Sequence, residues 1–334
     1  MELSFPAAPA ARDRFVLERR APRPTHNPWR YQDLIVEDER TANGEVARIA
    51  TVFLTGRECP WRCVMCDLWW STTVTDTPPG AIPVQVAAAR RQLAREPDPV
   101  YRLKLYNAGS FFDLHAVPPT DYPHIAAELS GVTQVIVESH PALIGPRVDS
   151  FLDALAEKTE KNRGVPELEV AMGLETVHPS ALDKLHKQMS VELFRRAADG
   201  LATRGVALRV FLLISPPFVA ADSQDEWLAR SIDVGFSCGA SVISLIPTRS
   251  GNGAIDALAT QGSFQEPRLH DIERSIDVAL AGKRARGRIF VDLWDLKRFA
   301  SCSHCFESRR ARLHSINLTQ QVLPAIECTY CGQP

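Results

Sequence analysis

Three cysteines at short spacing are the residues of this chain that are best suited to chemistry. Cys59, Cys63 and Cys66 follow a C-x3-C-x2-C pattern, and the next cysteine along the chain is Cys238. A [4Fe–4S] cluster normally takes four thiolates. Three thiolates without a nearby fourth therefore leave one iron open to another ligand. The alternative is a zinc knuckle that shares Cys63 and Cys66, although zinc sites usually come as two cysteine pairs.

A second group of cysteines lies near the end of the sequence. It forms two C-x2-C pairs with 22 residues between them, namely Cys302 with Cys305 and Cys328 with Cys331. Four thiolates at this spacing suit tetrahedral zinc, and a second iron–sulfur cluster is the alternative. Clustered cysteines indicate metal ligation rather than disulfides. The sequence shows no apolar leader and no apolar run of membrane length. Together with the clustered cysteines, this predicts a cytoplasmic protein without a membrane partner.

The elements that must position these cysteines alternate between strand and helix patterns. Short runs rich in Val, Ile and Leu are typical of parallel strands buried on both faces. They span 49–55, 103–107, 134–138, 168–172, 208–214 and 242–247, with 289–296 as a candidate for one more. Helical patterns span 84–95, 122–129, 147–161, 191–204, 223–238 and 267–283. This series predicts an α/β fold, a partial (β/α)6 barrel of the TIM type, with its chemistry where the strands end.

Three regions are expected along the chain. Residues 1–45 are predicted to be an irregular N-terminal arm, residues 46–300 the partial barrel, and residues 301–334 a small four-cysteine module similar to a zinc ribbon. The net charge of -2 gives no overall bias toward nucleic acid. Residues 281–334 nevertheless carry nine Lys or Arg against four acids, a surplus of +5. This surplus favours a basic face that includes Arg309, Arg310 and Arg312, with an ordinary solvated surface as the alternative.

The cysteine trio resembles the signature of radical S-adenosylmethionine (SAM) enzymes. In that superfamily the amine and carboxylate of SAM bind the open iron, and an electron from the cluster cleaves SAM to methionine and a 5′-deoxyadenosyl radical. Four further segments, at 107–113, 138–141, 173–176 and 246–253, resemble one branch of the superfamily. That branch holds the radical SAM subunit of archaeosine synthase and, more distantly, the catalytic subunit of elongator. The resemblance covers roughly residues 45–330.

The resemblance implies a set of SAM contacts on two loops. Ala108, Gly109 and Ser110 match in position the Gly-Gly-Glu motif of the superfamily, whose backbone holds the SAM amino group. This chain departs from the motif at Ala108 and Ser110, and a tight turn is the alternative reading. Met65 lies where the superfamily usually has an aromatic residue near adenine.

Three charged residues at strand positions complete the expected cofactor site. Glu138 and Glu175 end their strands, where a carboxylate can accept hydrogen bonds from ribose hydroxyls or from a substrate amine. Arg209 can pair with the methionyl carboxylate through its planar guanidinium. The alternatives are salt bridges at the rim for the two acids and an outward-facing position for Arg209. The sequence does not identify a catalytic residue that acts on the substrate.

The resemblance implies an enzyme that modifies a base of tRNA or of another nucleic acid. In the archaeosine synthase subunit the radical is thought to split a lysine adduct on a tRNA deazaguanine. An electron donor such as flavodoxin or ferredoxin, and a partner subunit, are expected on the same basis. Two alternatives stay open, namely a radical SAM enzyme acting on a small molecule or peptide, and a zinc-binding interaction protein without catalysis.

Overall fold

The parallel strands predicted from the sequence form the centre of the fold. A computed structural model describes residues 5–159, 164–282 and 287–332, and within these ranges eight strands form one sheet whose spatial order is also the chain order. We number them β1 to β8: Asp33–Arg40, Val46–Leu54, Arg102–Asn107, Gln134–Glu138, Glu167–Glu175, Ala207–Ile214, Val242–Pro247 and Arg288–Val291. β1 runs antiparallel to β2, and all later neighbours are parallel.

Helices pack on the outer face of this curled half-barrel. We number those of the described ranges α1 to α10: Pro9–Leu17, Ala81–Leu93, Tyr122–Glu128, Pro146–Lys158, Pro179–Lys184, Val191–Ala202, Gln224–Ser237, Ala254–Thr260, Leu269–Ala281 and Ser303–Thr319. The predicted partial α/β barrel is therefore confirmed, although the predicted helix ends at Lys161 and Lys283 lie outside the described residues. None of these helices has the length and apolar content needed to cross a bilayer.

Residues 1–45 are not an irregular arm throughout, as the sequence suggested. α1 packs its Phe15 and Val16 against α8 and against Val64 of the cysteine loop. β1 joins the sheet in full register with β2. The sequence pattern did not predict β1, because acidic residues interrupt its hydrophobic run. Glu37 and Glu39 face charged partners inside the half-barrel.

A layer of buried charges crosses the inside of the half-barrel. The Arg209 guanidinium bonds to Glu169 at 2.5 Å and to Glu39 at 2.6 Å, and the Lys104 ammonium lies 2.8 Å from both Glu37 and Glu39. Burial alone would raise the pKa of Glu39, but Arg209 and Lys104 hold it far below its usual range. The acids Glu37 and Glu39 of β1 are therefore paired within the fold.

α10 covers the opening between the first and last strands. The side-chain amides of Asn317 and Gln320 each exchange two hydrogen bonds, of 2.7–2.9 Å, with the backbone of Val291 and Ile289. These amides satisfy the free edge of β8 as a neighbouring strand would. On the other side of the opening, Arg40 of β1 donates to the Leu318 carbonyl at 2.9 Å. α10 thus fastens the two ends of the sheet.

Candidate active site

The three cysteines Cys59, Cys63 and Cys66 lie on the loop after β2, at the edge where the parallel strands end. Two neighbouring loops hold this loop through its backbone. The Val64 amide donates to the Leu185 carbonyl at 3.0 Å, and the Asn252 side chain donates to the carbonyls of Val64 and Cys66 at 2.8 and 3.2 Å. Segments after β5 and β7 therefore position the cysteine trio.

The thiols of the trio are poorly solvated. Burial raises the pKa of Cys59, raises that of Cys63 to about 12, and raises that of Cys66 well above its ordinary value. Metal coordination deprotonates such a thiol outright, because the ion supplies the missing positive charge. Three thiols on one loop, with Cys238 far along the chain at the end of α7, are the donor set expected of a cluster that keeps one position open.

A lysine that the sequence analysis missed lies beside the trio. The buried Lys187 ammonium donates to the Glu175 carboxylate and to the Gly173 carbonyl, both at 2.6 Å. Burial alone would lower its pKa, but the nearby groups Glu175 and Cys63 raise it, so Lys187 is a cation. In the sequence it follows Lys184 by three residues, and no spacing rule could have shown which of the two makes this contact.

The two predicted acids meet around this lysine. Glu138 ends β4 and Glu175 ends β5, as expected from the sequence. Burial raises the pKa of Glu138 to about 8, and the Lys187 charge only partly opposes that rise. Near neutral pH Glu138 is thus mostly protonated beside the Lys187 cation. If Glu138 released its proton, its negative charge would balance the positive charge of a ligand bound here.

Backbone strain is concentrated in the same place. Glu175, His186 and Gln188 have φ values of 64°, 58° and 54°, in the left-handed region that only glycine adopts freely. Strain of this kind is held in place by the surrounding structure and clusters at functional sites. Here it frames the Lys187 side chain on both sides.

The side chain of Asn107, the last residue of β3, has free hydrogen-bonding groups among the described residues. Both side-chain polar atoms of Asn107 are buried and have no hydrogen-bond partner in the described part of the chain. By contrast, the Ser110 hydroxyl accepts a bond from the His140 amide at 2.9 Å. A Cβ on Gly109 would lie 2.8 Å from the Arg57 carbonyl, so this glycine permits close packing against the cysteine loop. Asn107, beside the predicted 108–110 contacts, therefore offers the free donor and acceptor for a ligand.

An aromatic stack joins the cysteine loop to the end of β4. The Trp61 and His140 rings stack 3.6 Å apart at 13°. His140 Nδ1 accepts from the Ala142 amide, so Nε2 carries the proton and donates to the Lys187 carbonyl at 2.9 Å. Burial and the Lys187 charge lower the pKa of His140 to about 3. The ring is neutral and orients the Lys187 loop.

Two of the predicted SAM contacts have other partners within the fold. Arg209 comes five residues before the end of β6, about 16 Å along a strand. Its guanidinium is occupied by Glu169 and Glu39, which argues against the predicted contact with a methionyl carboxylate. Met65 packs with the apolar cluster of α1 and α8. A single sequence could not reveal either set of partners.

The C-terminal cysteines form a compact metal-binding group. The sulfurs of Cys302, Cys305, Cys328 and Cys331 all lie within 4.8 Å of one another, with 4.0 Å between Cys302 and Cys328 and 3.9 Å between Cys305 and Cys331. Tetrahedral ligands about 2.3 Å from one ion lie ~3.8 Å apart. The spacing thus fits a single ion, whereas thiolates on different irons of a cluster lie farther apart. His304 stacks on Tyr330, away from this group.

The tail arginines do not form the expected basic face. Arg309 donates to Glu273 at 2.6 Å and Arg312 to Asp277 at 2.7 Å, and both arginines are at most 5% exposed. Only Arg310 of the three is exposed, and it pairs with Glu307. Counting charges along the sequence could not separate buried arginines from surface ones.

Comparison with known proteins agrees with the predicted resemblance. No family model matches the chain. Over 264 residues the chain is 26% identical to archaeosine synthase subunit beta of Methanosarcina acetivorans, which covers 75% of this chain and 71% of that protein. Over 180 residues it is 25% identical to an uncharacterized protein of Methanocaldococcus jannaschii, which covers 52% of this chain and 46% of that protein.

The fold is similar to that of a solved archaeal protein. Elp3 of Methanocaldococcus infernus superposes with a TM-score of 0.54 at 13% identity, over 81% of this chain and 63% of that one. This likeness concerns the fold. The sequence resemblance to the archaeosine synthase branch is confirmed.

Proposed function

We propose that this chain, an enzyme of the radical SAM type, binds a [4Fe–4S] cluster through Cys59, Cys63 and Cys66 and uses SAM to modify a base of tRNA. One observation carries the proposal. The trio shares the strand-end edge with a buried amide that has no partner among the described residues, a buried lysine and two acids. A closed structural metal site would need none of these groups.

The cluster and SAM would supply the radical chemistry, by reductive cleavage of SAM to a 5′-deoxyadenosyl radical. The chain's own groups would bind and orient SAM. Asn107 offers one donor and one acceptor, and the backbone of 108–110 lies next to it. Glu138 and Glu175 offer carboxylates to the amine and ribose hydroxyls. Lys187 holds Glu175 in place and balances its charge.

The choice of a tRNA base rests on the archaeosine synthase relative. On the same basis we propose a partner subunit and a one-electron donor such as flavodoxin or ferredoxin. The buried tail arginines remove one of the arguments for nucleic acid made from the sequence. A small molecule or peptide as substrate is the competing function, and the near-neutral net charge of -2 is what favours it.

For the C-terminal cysteines we propose a structural Zn²⁺ ion. The amides of Cys331 and Tyr330 bond to the Cys328 sulfur and lower its pKa to about 7, an arrangement typical of zinc knuckles. We further propose the division into residues 1–45, 46–300 and 301–334, with β1 of the first region completing the sheet of the second. The zinc would then stabilise α10 against the sheet.

The test is anaerobic reconstitution followed by two assays. The purified chain should take up iron and sulfide, show the electron paramagnetic resonance signal of a reduced [4Fe–4S] cluster, and release 5′-deoxyadenosine from SAM. Nucleoside mass spectrometry of tRNA from a deletion strain should reveal an unprocessed base. A chain that binds zinc but no iron would overturn the radical SAM proposal. Cluster and SAM cleavage with unchanged tRNA nucleosides would favour the small-molecule substrate.

A further inference from the structure

A groove of about 480 Å³ opens beside the first cysteine of the trio. The residues that line it include Cys59 and Trp61 as well as Arg57, Arg62 and Arg147. Lys187, Glu138 and Glu175 do not line it, so it lies outside the candidate SAM site. Its volume is of the size that ligand-binding clefts have.

The groove carries a surplus of positive charge. Three guanidinium groups surround the single carboxylate of Glu58: Arg20 at 2.7 Å, Arg62 at 3.2 Å, and Arg23 in direct contact. These arginines hold the pKa of Glu58 below its usual value although burial opposes this. Arg20 itself does not line the groove. The lining holds four arginines, Arg23, Arg57, Arg62 and Arg147, against the two carboxylates of Glu58 and Asp113, a surplus of two positive charges.

Two further arginines that line the groove are available to a ligand. Arg147 donates through Nε to the Phe112 carbonyl at 2.6 Å, and its Nη groups have no partner within the described part of the chain. It lies in the first turn of α4, where the helix dipole also favours an anion. Arg57 pairs with the half-exposed Asp76, and surface pairs of this kind are weak enough for a phosphate to compete.

We propose that this groove binds the phosphate backbone of an RNA substrate, an inference that rests on the proposed function. Guanidinium groups bind phosphate oxygens in a two-point geometry, and a helix N-terminus adds to the attraction. The concave shape suits a polynucleotide strand better than the convex surface of a globular partner. The groove borders the cysteine loop, so a strand held here lies next to the candidate active site. The groove would thus provide the contact with nucleic acid that the sequence analysis had assigned to Arg309, Arg310 and Arg312.

The experiment is tRNA binding by full-length protein at several salt concentrations. An R57Q/R147Q double variant removes both of these charges and keeps Glu58 and the three cysteines. Each phosphate contact contributes about 0.7–0.9 to the slope of log affinity against log salt. We expect the slope to fall by roughly 1.5 and the affinity near ~0.1 M salt to fall about ten-fold. R196Q is the matched control, because Arg196 is an exposed arginine on α6 that does not line the groove.

Each outcome separates this inference from the proposed function. The inference is supported if the double variant loses affinity and slope while R196Q binds like wild type and both variants melt like wild type. It is wrong if wild type binds tRNA and the double variant binds equally well, which leaves the proposed function intact. It is also wrong if the variants keep tRNA binding but lose binding to flavodoxin, an acidic protein. Absence of tRNA binding by wild type contradicts both proposals.

Discussion

The two cysteine centres of this chain are built in opposite ways. At the C-terminal centre four sulfurs face one another, and the distances of 3.9 and 4.0 Å suit one ion with no position left for a ligand. At the strand-end edge of the half-barrel, called the rim below, three partly buried thiols lie beside a lysine, two acids and the Asn107 amide, which has no partner among the described residues. The first arrangement is complete without a substrate. The second is complete only when something else binds.

Backbone conformation follows the same division. Next to the C-terminal cysteines the left-handed position belongs to Gly332, which adopts a φ of 64° without strain. At the rim, the left-handed positions are occupied by Glu175, His186 and Gln188. A side chain there costs of order 1–3 kcal/mol each. Strained left-handed residues thus border the candidate SAM site, whereas the left-handed residue beside the C-terminal cysteines is a glycine; Gln320, with a φ of 59°, lies at the far end of α10.

The largest expected effect separates the two centres directly. Cys63→Ala should abolish iron binding, from about four ions per reconstituted chain to none, since two thiolates cannot hold the cluster. The C-terminal ion should remain at one per chain. Elemental analysis of both metals in one sample measures this, with C238A as the control. Loss of both metals together would mean that the centres are not independent.

The reciprocal change should affect stability instead of chemistry. Cys331→Ser should release the C-terminal ion, and the free energy of unfolding should fall by roughly 3 kcal/mol or more, because binding energy at a structural site is folding energy. Urea unfolding with and without a chelator measures the difference. Iron content at the rim should be unchanged. If chelation leaves the wild-type unfolding curve unaltered, the C-terminal centre has no structural role.

Removal of the rim lysine tests whether its charge is needed there. Lys187→Met leaves Glu175 buried without a cation, which should cost about 3–5 kcal/mol of unfolding free energy in the metal-free chain. The K187M/E175Q double variant should recover most of that loss. K158M, which breaks an exposed pair with Glu157, should cost less than about 1 kcal/mol. Equal losses in K187M and K158M would contradict a buried ion pair at the rim.

The raised pKa of Glu138, about 8, predicts how stability depends on pH. The folded state binds this proton more tightly than the unfolded state does, so the contribution is full below about pH 4.5 and is lost as the pH rises through 8. The unfolding free energy of wild type should fall by at most ~1.4 kcal/mol per pH unit over that window. E138Q should flatten the fall, and E157Q, at an exposed site, should not. If E138Q and wild type show the same dependence of unfolding free energy on pH, the pKa of Glu138 is not raised in the folded state.

The smallest effect concerns the unpartnered amide. Asn107→Leu keeps the number of side-chain heavy atoms and removes two buried polar atoms that lack partners. The ligand-free chain should gain about 1 kcal/mol of stability, while SAM affinity should fall several-fold. Thermal melting and equilibrium binding of SAM measure the two changes. A variant that loses both stability and affinity would indicate that Asn107 has an internal role instead.

The barrel was predictable because its parallel strands are buried on both faces and read as runs of Val, Ile and Leu. β1 was not, because its sequence DLIVEDER places acids against Lys104 and Arg209, which come from distant parts of the chain. The cysteine ligands followed from spacing alone. Lys187 could not be found in this way, since its partner Glu175 is set by the path of a loop. Arg209, Arg309 and Arg312 misled the prediction for one shared reason, namely that a charge in a sequence does not reveal its depth.

The position of α10 has a consequence for how the half-barrel opens and closes. The helix begins at the metal-binding cysteines and ends at the amides that complete the free edge of β8. Occupancy of the ion and closure of the sheet are thus thermodynamically linked: each favours the other by the same free energy. In the metal-free chain, amide hydrogens of β8 and of the facing edge of β1 should exchange with solvent first, while those of β4 and β5 stay protected. The distant ion would then control how often the inside of the half-barrel meets water.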